Sequence, residues 1–146
     1  MQIRLATPDD LEWAAHLMAS NEPWITLRRD LEGARKYLSR AGELFIPFDG
    51  ETRLGFLVLH ERGLAGSPYI ASLAVDAPAR GRGVGAELLR IAEARHPEAR
   101  HIFLLVSSFN PRARQLYERH GYRQVGELPD YVVAGHSELI MHKRLR

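Results

Sequence analysis

The chain has 146 residues, 45% of them hydrophobic and 26% charged, the size and make-up of one domain with its own core over residues 1–146. Its 20 Lys and Arg against 18 Asp and Glu leave a net charge of +2, too near balance for bulk nucleic-acid binding. Cysteine is absent, which excludes disulfides, thiolate metal sites and a cysteine nucleophile, and no apolar run nears the roughly 18 residues that span a bilayer, so a cytoplasmic protein without a membrane partner is expected.

Gln2–Leu5 reads as a first strand, beginning directly where a signal peptide would otherwise stand. Thr7-Pro8-Asp9-Asp10 then supplies a helix cap, a first-turn proline and acids that suit the positive end of a helix dipole. Leu11, Ala14, Ala15, Leu17 and Met18 follow at helical spacing, and Asn21-Glu22-Pro23-Trp24 breaks the helix. A second helix is expected over Leu27–Ser39, with Leu31, Ala34 and Leu38 on one face. Strands over Glu43–Pro47 and Arg53–His60 flank the turn signal Asp49-Gly50. A loop over Glu61–Pro68 leads to Tyr69–Val75, almost wholly apolar, as a central strand covered on both faces should be.

The loop Ala77–Gly83, rich in glycine and arginine, precedes a helix over Val84–Arg95 with Leu88, Leu89, Ile91 and Ala92 facing a core. His101–Val106 reads as a second buried strand, and Asn110-Pro111 opens a helix bearing Ala113, Leu116 and Tyr117 that Gly121 stops. Strands over Arg123–Glu127 and Ser137–Lys143 complete a mixed-sheet α/β domain.

Arg80-Gly81-Arg82-Gly83-Val84-Gly85-Ala86 sits where a buried strand ends and a helix begins. Glycines there let the backbone turn tightly and bring its N–H groups to a ligand, and the helix start favours an anion such as a pyrophosphate. No Gly-Lys-Ser/Thr is present, which removes the Walker-type reading. Gly81-x-Gly83-x-x-Ala86 satisfies a loose dinucleotide fingerprint, but the ribose-binding acid expected after the next strand is missing: His101–Val106 runs into Ser107-Ser108-Phe109.

Arg80-Gly81-Arg82-Gly83-Val84-Gly85 resembles instead the Q/R-x-x-G-x-G/A motif of the GNAT superfamily of N-acetyltransferases. Asn110-Pro111-Arg112-Ala113 through Leu116-Tyr117 to Gly121-Tyr122 resembles the second signature of that family, in the right order. The resemblance implies a GNAT-like fold: a mixed, mostly antiparallel central sheet of about seven strands flanked by about four helices. It also implies acetyl-CoA as cosubstrate and no metal. The pantetheine arm would pair with Leu73 and Val75 where two strands splay, and the pyrophosphate would rest on Arg82–Ala86, with Ala74, Arg80, Gly81 and Asn110 as further coenzyme contacts.

Tyr117 matches the position of a phenol that protonates the departing sulfur; on its own pattern it is a core tyrosine, as Asn110 is a helix cap. Some family members place a glutamate base early in the central strand, where this chain has Tyr69, so the base is not legible; water relayed to a backbone carbonyl, His60 and Glu22 are open alternatives. His60, His101, His120 and His136 have no metal-ligand spacing. The acceptor, a small-molecule or peptide amine, would meet Asn21–Arg28 with Trp24 and Leu128–His136 with Tyr131, two aromatics that are otherwise core. A homodimer is compatible with this reading. An acyl-CoA-binding sensor or scaffold without turnover is the alternative function.

Overall fold

The computed structural model describes residues 1–146, in the order β1 (Gln2–Leu5), α1 (Pro8–Ala19), α2 (Leu31–Ser39), β2 (Glu43–Asp49), β3 (Thr52–Arg53), β4 (Gly55–Leu64), β5 (Ser67–Val75), α3 (Val84–Arg95), β6 (His101–Ser107), α4 (Pro111–Arg119), β7 (Arg123–Pro129) and β8 (Ser137–Arg144). Thr7 and Asp10 start α1 as a reciprocal pair: the Thr7 hydroxyl accepts from the Asp10 N–H, and the Asp10 carboxylate accepts from the Thr7 N–H at 2.8 Å. No helix is long and apolar enough to cross a membrane.

Two expectations about element bounds are corrected. The second helix starts at Leu31 rather than Leu27, because the Asp30 carboxylate accepts from the Gly33 N–H at 2.8 Å and fixes the N-cap there. The loop expected over Glu61–Pro68 is mostly strand: β4 runs to Leu64, β5 begins at Ser67, and only Ala65 and Gly66 turn, both at positive φ.

The strands follow the order β1-β2-β4-β5-β6-β8-β7, with β3 on β2. Every pairing is antiparallel except β5 with β6, which match only at Tyr69 with Phe103 and Ile70 with Leu104. The sheet is therefore two antiparallel ribbons joined by one short parallel seam, the mixed and mostly antiparallel arrangement expected.

Alternate residues of β4 feed two cores on opposite faces. Leu57 and Leu59 join Leu88, Leu89 and Ala92 of α3 and Tyr117 of α4. Phe56 and Val58 join Ala14 and Met18 of α1 and Ala34 and Leu38 of α2. That second core stops at β5, and the same face continues over β6 and β8 through the half-buried Phe103, Leu105, Ile140 and His142. The sheet thus has one face covered by α3 and α4 and the other covered over only half its width.

Candidate functional site

The strand–helix junction is built from β5, a single 3-10 turn at Ala77–Ala79, and Gly83 as the N-cap of α3. Gly81 (φ 75°) and Gly83 (φ 79°) adopt backbone conformations that L side chains avoid, and a Cβ on either would meet open space. The backbone N–H groups from Gly81 to Ala86 donate to no carbonyl of the chain; the first turn of α3 closes only with Glu87 N–H on Gly83 O at 3.1 Å. Six consecutive free donors at a helix start form a cradle for an oxyanion.

The six are not equivalent. A Cβ on Gly85 would lie 2.9 Å from Leu116 Cδ2, so this glycine lets α3 approach α4. Arg80 and Arg82 are exposed and already engaged: Arg80 donates to Asn21 Oδ1 at 3.0 Å and to Val75 O at 3.3 Å, and Arg82 donates to Asp49 Oδ2 at 3.1 Å. Both would have to leave those partners to reach a phosphate.

Beyond Ile70 and Leu104 the strands β5 and β6 part. Asp76 N–H donates to Leu54 O at 2.8 Å, and alternation along the antiparallel β4–β5 ladder then aims Ala74 at β4. The N–H and C=O groups of Leu73 and Val75 face the gap; Val75 O, which takes the Arg80 bond, points that way. Leu73 and Val75, the residues expected on the strand edge, line it, whereas the methyl of Ala74, expected as a coenzyme contact, packs in the core beneath α1 and α2.

Tyr117 is buried on the α3–α4 face, edge-on to Tyr122 with ring centroids 6.1 Å apart. Burial pushes its hydroxyl up to about 12, so it holds its proton throughout the physiological range. Asn110 caps α4, accepting from the Ala113 N–H at 3.3 Å. The two aromatics expected near the acceptor have different fates. Tyr131 is exposed at 62%, but Trp24 is buried against Phe56 with centroids 5.8 Å apart, because its side chain turns into the core under α1 and α2.

Glu22 caps its own turn, accepting from Thr26 N–H at 2.8 Å and Thr26 Oγ1 at 2.6 Å. His60 lies in a separate cavity of about 620 Å³ with Glu43, Arg95 and His96, at the C-terminal end of α3 and so remote from the glycine loop. Tyr69 has its hydroxyl pushed far up by burial, reinforced by Tyr37, Tyr131 and Glu138. Glu138, a residue that sequence reasoning passed over, is 7% exposed and stands on β8 opposite Ser107 at the end of β6. Burial raises its carboxyl above the usual range; the Ser107 hydroxyl and His136 soften that shift. Its only sequence signal is one acid among the apolar residues of a final strand.

The model of the acetyltransferase (GNAT) family matches residues 7–122. An uncharacterized N-acetyltransferase of Methanocaldococcus jannaschii is 37% identical over 54% of this chain and 53% of its own length. Blasticidin-S acetyltransferase of Streptomyces morookaense is 38% identical over 50% of this chain and 54% of its own. The chain spans about half the length of these two relatives in the matched region, or less in a Mycobacterium leprae protein of which it covers 39%. The crystal structure of an aminoglycoside 6'-N-acetyltransferase complexed with coenzyme A superposes with a TM-score of 0.82 over 100% of this chain and 98% of that one, at 14% identity, which shows a shared fold.

Proposed function

Because the chain belongs to the GNAT acetyltransferase family, we propose that it moves an acetyl group from acetyl-CoA directly to a primary amine of a small molecule or peptide. The observation that carries this reading is the run of free amides from Gly81 to Ala86 continuing the parted edge of β5. Charge-assisted bonds of that kind contribute about 1.5–3 kcal/mol each, and the open space over Gly81 and Gly83 admits a pyrophosphate. Leu73 and Val75 offer backbone groups to an extended amide-bearing arm, which would join the sheet as an added strand. The relatives support an amine acceptor, since one is named an N-acetyltransferase.

Acetyl-CoA supplies the activated acyl thioester. The loop binds and orients it, and the residues around the gap exclude water on the α3–α4 side, where Val106, Tyr117 and Leu139 are buried together. Tyr117 then provides the proton that the departing sulfur takes.

Titration calorimetry with acetyl-CoA, NAD and ATP, followed by coenzyme A release across amines, polyamines, amino acids and peptide N-termini, tests this. Acetyl-CoA binding with amine-dependent release is the expected result. NAD binding in its place would overturn the coenzyme assignment, and acetyl-CoA binding with no release on any amine would favour a sensor or scaffold.

A further inference from the structure

We propose that Glu138 receives the acceptor: a cationic primary amine enters over the uncovered half of the sheet, between Tyr69 and Tyr131, and gives its proton to the Glu138 carboxylate. This deepens the transfer reading and rests on it. The argument begins with placement. Directly opposed strand residues share a face, so Ser107 and Glu138 lie with Phe103 and His142 on the face without α3 and α4. Tyr69 is paired with Phe103 and lies there too. Tyr117 belongs to the opposite face. Between them is the gap left where β5 and β6 part. A thioester held in that gap meets Tyr117 on one side and Glu138 on the other, the geometry required for an amine to attack as sulfur departs.

The second observation is a buried carboxyl whose charged form is favoured only by the Ser107 hydroxyl and by His136. Glu138 makes no ion pair with any Lys, Arg or His. Beside it the buried Ser107 hydroxyl has no partner other than this carboxyl. Buried charges are costly unless paired, and a chain that keeps one without a cationic partner leaves room for a cation. The titratable groups facing Glu138 are Tyr69 from β5 and His136 from the segment before β8; β6 presents Ser107 and β7 presents Leu128. None is a fixed positive charge. Exposed Tyr131 adds ring surface suited to an ammonium, whereas Tyr37, hydrogen-bonded to Ser72 at 2.9 Å, already holds the Arg29 guanidinium over its ring at 4.3 Å.

The step balances as follows. The acceptor ammonium loses one proton to Glu138, and the freed nitrogen lone pair forms the C–N bond. The C–S bond breaks, sulfur keeps its electron pair, and the Tyr117 hydroxyl protonates it. The new amide nitrogen sheds its second proton to solvent on the Glu138 side, Glu138 releases its own to water, and the tyrosinate regains one proton from water once coenzyme A has left.

Two measurements on the full chain test the assignment. With acetyl-CoA and an amine that the wild type acetylates, E138Q should lower kcat/KM by roughly 10²–10⁴-fold at neutral pH while acetyl-CoA affinity stays unchanged. The acid limb of the kcat/KM profile should move from the carboxyl range up to the pKa of the amine, because the variant must wait for neutral amine. A structural role would move neither. An unchanged rate and limb in E138Q would overturn the proposal and leave acetyl transfer standing. Carbon-13 NMR of the wild-type Glu138 carboxyl, with and without n-butylamine, gives the second reading and needs no turnover. A bound cation should lower the titration midpoint of Glu138; no movement would overturn the proposal. A downward shift in a protein that releases no coenzyme A would support the amine site and remove the transfer reading.

Discussion

Tyr117 and Glu138 differ in how far their chemistry can be read from neighbours in the chain. Tyr117 follows a helix cap at Asn110 and precedes Gly121, so its place on α4 is a local matter. Its buried hydroxyl points to a donor, and Tyr117→Phe should cut kcat by roughly 10²–10⁴-fold with acetyl-CoA affinity nearly unchanged, as steady-state kinetics beside calorimetry would show. An unchanged kcat would make the residue a core tyrosine. Glu138 was not legible, because its burial and its facing of Ser107 come from a strand pairing that no local pattern announces. Trp24 misleads for the converse reason: it stands in the helix-breaking stretch Asn21-Glu22-Pro23-Trp24, but the turns before α2 fold its ring onto Phe56.

At the scale of elements, the junction of β5 and α3 was the most legible part, since three glycines beside a helix start admit few structures. What the sequence does not tell is that they do not all do the same job. Gly83 needs its positive φ and has open space, whereas Gly85 needs the absence of a side chain against Leu116. Gly83→Ala should therefore cost about 1–2 kcal/mol and weaken acetyl-CoA binding in a protein that still melts cooperatively. Gly85→Val should overpack the α3–α4 contact, cost about 1–3 kcal/mol, and disturb the setting of the adjacent Tyr117. Thermal melts and acetyl-CoA titrations of the two variants would separate these effects; equal losses in both would deny the division of roles. The strand and helix order was legible from periodicity, but the start of α2 and the length of the β4–β5 hairpin were not. Asp30 competes with upstream positions for the cap, and polar Glu61-Arg62-Gly63 hides a strand that pairs in the exposed end of the hairpin.

For the whole molecule, the mixed sheet follows from the order of elements, whereas the two charge-bearing ties that hold its N-terminal edge do not. Asp10 is fully buried and accepts from Arg4 and Arg53 at 2.7 Å each, joining β1, α1 and β3. Burial alone would raise its carboxyl, but the bonds from Thr7, Arg53 and Arg4 outweigh that and hold it well below the usual range. A depressed carboxyl stabilises the fold fully above the unfolded value of about 3.9 and loses that contribution as pH falls towards the folded value. Asp10→Asn should thus be less stable at neutral pH by about 1–3 kcal/mol, and denaturant titrations should show the difference from wild type shrinking between about pH 5 and pH 2. A constant difference would contradict the linkage. Beyond the gap a second tie joins β8 to α3, where Glu93 accepts from Lys143 at 2.8 Å and from the Tyr122 hydroxyl at 3.0 Å. Each ribbon is zipped along most of its length by antiparallel pairs, but between them there are only the two matches Tyr69 with Phe103 and Ile70 with Leu104. The seam is the compliant joint of the domain: thermal breathing costs fewest sheet bonds there, and whatever fills the cleft beyond it clamps two stiff plates together.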